Sequence, residues 1–448
     1  MHVVSLGCDK NLVDSEAMLG LVRREGFAIV NEPETADAII VNTCGFIRAA
    51  VREGIAAVIE LAGYKTSGAC KALIVTGCMV TRYKDDILAE LPEVDAILGT
   101  RELPRIVDVI KRIFNGPASE PGADESSEDL YINRALSTHM GYAYLKIAEG
   151  CDNRCTYCAI PYIKGPHKSR QADSLLAEAA NLAAQGVREL VLVAQDTTMY
   201  GKDIYGRPSL DILLRKLSDI PEIAWLRVMY AYPENITEAL ITEIAENNKI
   251  CKYLDMPVQH ASDSVLKRMG RKSAETELRG LIGRLRETIP GIALRTTIMT
   301  GFPGETQRDF KILRNFVEDM RFEHLGAFTF SREEGVPAYT MKGHLPEKLK
   351  NDRRDILLKK QAGISLNNNK QFVAQTLTVL TEGRVPDEEN PQGCLYCGRS
   401  YRDCPENDGM VFFHSDEEIM SGDFVNVLIS EAGEHDLYGM RISDESSQ

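Results

Sequence analysis

Eleven cysteines are spread over this 448-residue chain, and their spacing is its first chemical signal. Cys151, Cys155 and Cys158 form CDNRCTYC, a Cys-x3-Cys-x2-Cys run. Thiolates are soft ligands that suit iron–sulfur clusters, zinc or copper(I). A structural zinc wants four closed ligands. No fourth cysteine or suitably spaced histidine stands nearby; His167 is nine residues on, behind a Gly-Pro. Three thiolates on a four-iron cubane leave one iron without a protein ligand, the open position that metal catalysis needs. Cys8, Cys44 and Cys78 make a second set, separated by 36 and 34 residues, the size of one β/α repeat. Each ends an apolar, β-prone run: VVSLGC, AIIVNTC and ALIVTGC. In a parallel sheet such turns fall at one edge, so these three thiols should converge.

The elements that must position them read as three parts. In the first, the three short runs alternate with helical-period segments such as LVDSEAMLGLVRREGF and RAAVREGIAAVIELAGY, which predicts a parallel α/β domain over 1–116. Residues 117–136, rich in Gly, Pro, Ser and acid, read as a linker. Over 137–368 six further runs recur: YAYLKIA, ELVLVAQD, WLRVMYAY, KYLDMPVQ, IALRTTIMTG and LGAFTFS. Six units predict a partial (β/α)6 barrel rather than a closed eight-fold one. The CDNRCTYC run then follows the first barrel strand, at the end where such barrels keep their chemistry. A basic helical stretch, Lys348 to Lys370, gives way to short strands, and 371–440 reads as a small all-β domain.

Composition sets outer limits. Hydrophobic content of 44% and charged content of 26% are globular values, which exclude a disordered or collagen-like chain. No apolar run reaches the roughly 18 residues of a membrane span. MHVVSLGC lacks the basic start and cleavage site of a secretory signal, so a cytoplasmic protein with reduced thiols is expected.

CDNRCTYC after a strand, with aromatic Tyr157 in the penultimate position, resembles the radical S-adenosylmethionine (SAM) signature. The resemblance implies that Cys151, Cys155 and Cys158 hold a [4Fe-4S] cluster whose open iron chelates SAM. Reductive cleavage of SAM then yields a deoxyadenosyl radical. Other barrel-strand ends carry candidate cofactor or substrate residues: Gln195 and Asp196, Tyr230, Gln259 and His260, and Gly301 and Gly304 of TGFPGET. That last run lacks the Lys-Ser/Thr of a P-loop, so triphosphate binding is not expected.

SLGCDKNLVDSE, VNTCGFI and TGC resemble the amino-terminal domain of the methylthiotransferase family. With the radical SAM barrel and a small carboxy-terminal TRAM domain, the resemblance spans nearly the whole chain. LVDSE, NTCGFI, YLKIAEGC, LDMPVQHASDSVLKRMGR, SREEGVPAY and GRSYRDCPENDG are closer to the ribosomal-protein branch than to the tRNA branch. Two departures are Asp9, where Pro or Ala would be commoner, and the variant loop PYIKGPHKSR. The resemblance implies a second [4Fe-4S] cluster on Cys8, Cys44 and Cys78, which holds or donates sulfur. It implies methylthio transfer to the β-carbon of an aspartate in the twelfth small-subunit ribosomal protein. The methyl group would come from a second SAM, and electrons from a flavodoxin- or ferredoxin-like donor protein. The alternative reading is a tRNA adenosine methylthiotransferase.

Charge bears on that choice. Residues 371–448 carry four arginines and no lysine against sixteen Asp and Glu, a net −12 of the chain's −14. An RNA-gripping domain needs cations for phosphates, whereas an acidic one attracts a basic protein. A direct tRNA substrate and a membrane partner are therefore not expected. Cys70 and Cys251 read as packed core thiols. Cys394, Cys397 and Cys404 read as peripheral free thiols, with a small zinc site including His414 as the minority alternative.

Overall fold

The computed structural model describes residues 1–116, 129–138, 141–386 and 394–442. Each of the three amino-terminal apolar runs forms a strand: His2–Ser5, Ala38–Thr43 and Ala72–Gly77. They pair in parallel in chain order, and a fourth strand, Ala96–Leu98, extends the sheet. That strand is only three residues long, too short for a periodicity signal. Helices Asp9–Arg24 and Arg48–Ala62 fall where the sequence places helical periods. Of the expected linker, 117–128 lie outside the described residues. In the described part of that linker Leu130, Tyr131 and Arg134 are buried, packed into the core rather than exposed.

Six parallel strands form the middle sheet: Tyr142–Lys146, Glu189–Val193, Trp225–Val228, Ile250–Asp255, Ala293–Thr300 and His324–Thr329. They lie side by side in chain order and the sheet stays open. Apart from the edge strand His324–Thr329, both faces are largely buried, which is why the strands read as continuous apolar runs rather than alternating ones. The alternation is nonetheless used. Ala143, Leu145, Leu190, Leu192, Leu226 and Leu254 join the core shared with the surrounding helices. Tyr142, Tyr144, Val191, Val193 and Tyr253 join a second core with Val13, Ala17, Met18 and Leu21 of helix Asp9–Arg24. The amino-terminal domain therefore covers part of the sheet's inner face.

The carboxy-terminal strands close a five-stranded barrel. Its loop at Tyr401–Gly409 packs against the same inner face. Cys404, expected to be peripheral, is 1% exposed and belongs to that second core. The reason is local: Asp408 accepts hydrogen bonds from Tyr253 at 2.7 Å and Arg295 at 3.2 Å, which draws the loop in. Arg399 is fully buried, 2.8 Å from Glu189 of the sheet and also paired with Glu382. Helix Glu347–Asn369, the basic stretch, packs along strand His324–Thr329 and leads into the barrel. Among the described residues, no helix is long and apolar enough to cross a membrane.

The single tryptophan, Trp225, meets Phe424 of the small barrel edge to face at 4.8 Å, so its fluorescence reports docking of that barrel. Removing one member of a buried ion group leaves its partners uncompensated, at a cost of about 3–5 kcal/mol. Arg399→Met should lower the urea midpoint of the Trp225 fluorescence transition accordingly. An unchanged midpoint would mean that the Glu189–Arg399 contact does not hold the barrel in place.

Candidate cluster and cofactor site

Cys8 is the N-cap of helix Asp9–Arg24, and Cys78 is the first residue of helix Cys78–Glu90. Both thiols thus stand at the positive ends of helix dipoles, where negative charge is favoured. Cys44 follows strand Ala38–Thr43 directly. The parallel register places Ser5 beside Asn42 and Thr43 beside Gly77, so the three turns leave one sheet edge together. They touch. A Cβ on Gly7 would lie 2.8 Å from the Cys44 Cβ, and one on Gly45 would lie 2.6 Å from the Cys78 carbonyl oxygen. Glycine at both positions is what permits that approach.

Asn11, which the sequence reading passed over, is the tie among the turns. It is 1% exposed, and its Nδ2 donates to the carbonyls of Leu6 and Thr43 at 3.0 and 3.2 Å. The Cys78 thiol donates to its Oδ1 at 3.7 Å. A polar residue one turn into a helix that buries its start was the available signal.

In the barrel triplet Cys151 and Cys155 are buried and Cys158 is half-buried. The Cys155 Sγ lies 3.2 Å from the Tyr232 hydroxyl, a second residue the sequence reading missed. Arg271 stacks on that Tyr232 ring at 3.7 Å. Tyr157 packs edge to face on Phe302. Burial pushes the Cys151 thiol up to about 11 and Cys78 and Cys158 up to about 12. A metal that binds them must displace those protons.

The two triplets border one interior. Cys78 shares an apolar cluster with Ala159, Ile163, Met299 and Phe302 from the barrel side. The Tyr230 hydroxyl donates to Asp9 at 3.2 Å, and the Lys10 ammonium sits 3.3 Å over the Tyr230 ring. Tyr230 and Gln259, both at strand ends, hold positive φ of 56° and 67°. Gln195 donates to Glu149 at 3.3 Å. Asp196 accepts from Asn153 of the CDNRCTYC loop at 2.7 Å and from Asn235 at 3.0 Å. Gly301 and Gly304 are at positive φ in a turn whose Gly301 and Phe302 amides donate to Glu305. Lys350 fills the space beside Gly301. The structure accounts for both glycines as turn formers.

Whether these residues fit clusters and SAM can be judged from the donor atoms. The Oε1 atoms of Gln195 and Gln259 are buried and have no hydrogen-bond partner, so both are acceptors left for a ligand with donor groups. Among the described residues no three His, Cys, Asp or Glu side chains are close enough to share one metal ion. A polynuclear cluster spreads its thiolates over several irons, and the two triplets suit it.

Comparison with known proteins agrees with that donor chemistry. Residues 1–99 match the uncharacterized protein family UPF0004, 145–317 the radical SAM superfamily and 373–442 the TRAM domain. Ribosomal protein uS12 methylthiotransferase RimO from Lachnoclostridium phytofermentans is 49% identical over 97% of this chain and 98% of its own. The proteins of the same name from Acetivibrio thermocellus and Geobacter sulfurreducens are 47% and 45% identical, each over 99% of this chain and 98% of theirs. The chain belongs to the RimO methylthiotransferase family. It is a radical SAM methylthiotransferase with two [4Fe-4S] clusters and SAM as cofactors. The radical SAM methyltransferase TsrM from Kitasatospora setae shares the fold, with a TM-score of 0.55 and 14% identity over 75% of this chain and 73% of its own.

His260, beside Gln259, supplies a pH test of this strand end. It is fully buried, and its Nδ1 accepts from the Ser262 amide at 2.9 Å, which puts the ring proton on Nε2. Burial depresses its pKa from 6.5 to about 3. The unfolded chain binds that proton more readily, so its contribution is complete above pH 6.5 and is lost as pH falls towards 3. Urea midpoints across that window should fall less steeply for His260→Gln than for the wild type.

Proposed function

We propose that this chain transfers a methylthio group to the β-carbon of an aspartate in small-subunit ribosomal protein uS12. Cys151, Cys155 and Cys158 hold the cluster that binds SAM; Cys8, Cys44 and Cys78 hold the cluster that carries the sulfur. When bound, these groups supply a carbon radical able to take hydrogen from an unactivated carbon, and the sulfur that replaces it. General acid–base chemistry alone cannot break such a C–H bond, so the chain's own task is positioning and exclusion of water.

Named side chains divide that task. Asn11 fixes the three amino-terminal turns relative to one another. Tyr232 donates a hydrogen bond to the Cys155 sulfur once that sulfur is a metal-bound thiolate. Gln195 and Gln259 offer unpaired acceptors towards SAM. Tyr230, Asp9 and Lys10 close the seam between the domains.

The observation that favours a protein over a nucleic acid is the charge of the small barrel. Two of its four arginines, Arg399 and Arg402, are buried together with Asp403 and the Asp408 side chain, so the acidic surplus of its composition is kept at its surface. Such a surface repels RNA and attracts a basic ribosomal protein. A ribosomal substrate places the enzyme in the cytoplasm, and a flavodoxin- or ferredoxin-like protein is its electron donor.

Anaerobic incubation with SAM, reductant and either uS12 or tRNA, followed by mass spectrometry, decides the substrate. A methylthio gain on uS12 alone is expected; a gain on tRNA alone would overturn the proposal. Iron analysis separates the two sites. The reconstituted wild type should hold about eight irons per chain, and Cys78→Ala and Cys155→Ala about four each. Of the two variants, only Cys78→Ala should still cleave SAM.

A further inference from the structure

Lys164 lies six residues beyond Cys158, directly after the short helix Ile160–Ile163 of the barrel's cysteine loop. Its side chain is 2% exposed, an expensive place for an ammonium ion unless it is paired. The Nζ is 3.0 Å from Glu149 and 3.3 Å from Asp14, the latter on helix Asp9–Arg24 of the amino-terminal domain. Its carbonyl accepts from Arg101 of that same domain at 3.1 Å. Ile160–Ile163 packs on helix Cys78–Glu90, and Ile163 shares an apolar cluster with Cys78 itself. Lys164 therefore belongs to one triplet's loop but spends its charge beside the other. Cys78 and Cys44 both feel it as a favourable positive charge.

We propose that Lys164 is a positioning residue for the amino-terminal site, whose fixed charge raises the reduction potential of the cluster on Cys8, Cys44 and Cys78. The inference rests on the assignment of a cluster to those cysteines. The couple is a one-electron reduction, with the electron supplied by an external low-potential donor; no bond forms and no proton leaves Lys164. Reduction adds a negative charge, and a buried cation nearby favours the more negative state. Burial of Lys164 and Cys78 strengthens the effect. Because the ammonium is carried on the barrel loop, the amino-terminal cluster acquires its potential only when that loop is docked.

The test is a potentiometric titration of the reconstituted full-length protein followed by electron paramagnetic resonance. Added SAM perturbs the barrel cluster's signal and so tells the two apart. Lys164→Met should shift the reduced-to-oxidised ratio of the amino-terminal cluster by about tenfold, about 59 mV to lower potential for one electron. Lys164→Arg should leave it near the wild-type value. Glu149→Gln, which leaves Lys164 less compensated, should shift it the opposite way. Lys164→Gln retains a hydrogen-bonding side chain without the charge, and serves in place of Lys164→Met should that variant not fold. The barrel cluster should not move in the Lys164 variants. A charge-removing variant that holds about eight irons and keeps the wild-type potential would overturn this inference alone. A wild type with only about four irons, all lost with Cys155→Ala, would overturn the cluster assignment and this inference with it.

Discussion

Everything in the cofactor region hangs on a group of charges buried between helix Asp9–Arg24 and the first barrel strands. Asp14 meets Lys146 and Lys164, and Glu149 meets the same two lysines. Glu16 pairs with Arg134, which also reaches Glu178, itself paired with Arg170. Tyr131 lies beneath, its hydroxyl donating to Asp14 and its ring under Lys146 and Arg170. Carboxylates and cations nearly balance, as desolvated charges must. Hydrophobic residues could have glued the two domains with fewer penalties. Charge pairs add directionality: each carboxylate is satisfied at one orientation of the helix, so the helix start, with Cys8, has one place to be.

That constraint explains how two sites of separate origin come to share an interior. The amino-terminal sheet gathers its cysteines by topology alone, since parallel strands deliver their turns to one edge. Topology does not aim that edge at the barrel. The aim comes from Asp14 and Glu16, from the Asp9–Tyr230 hydrogen bond, and from Glu333, which accepts from the Arg48 amide and meets Arg82. Glu149 is held down to about 2 chiefly by Lys146 and Lys164, against its own burial, so it stays charged and the arrangement persists at any physiological pH.

The architecture and the strand-end placement of the cysteines were legible in the sequence because they are written in local signals. Apolar runs of five or six residues, helical periods between them and cysteines at the run ends need no knowledge of distant contacts. Three things were hidden for the opposite reason. Asn11, Tyr232 and the buried lysines act through partners distant in sequence: Thr43 for Asn11, Cys155 for Tyr232, and Asp14 for Lys146 and Lys164. The fourth strand is three residues long and leaves no period. Cys404 reads as a loop thiol among Asp, Pro and Asn, and only the pull of Tyr253 and Arg295 on Asp408 carries that loop inward.

The surface charge is likewise more decisive in three dimensions than in composition. The basic stretch Lys348 to Lys370 is the one feature that favours RNA contact, yet its cations are partly withdrawn. Lys350 is buried and donates to the Phe330 carbonyl at 2.8 Å; Arg353 is buried on Glu305 at 2.5 Å. Lys360 pairs with Glu318 at the surface. In the small barrel Arg399 and Arg402 also turn inward, together with Asp403 and the Asp408 side chain, while Asp416, Glu417 and Glu418 stay exposed. Folding thus hides positive charge on both sides of the junction near residue 370. The field that remains outside is acidic, and a diffusing partner meets that field before it meets any cofactor.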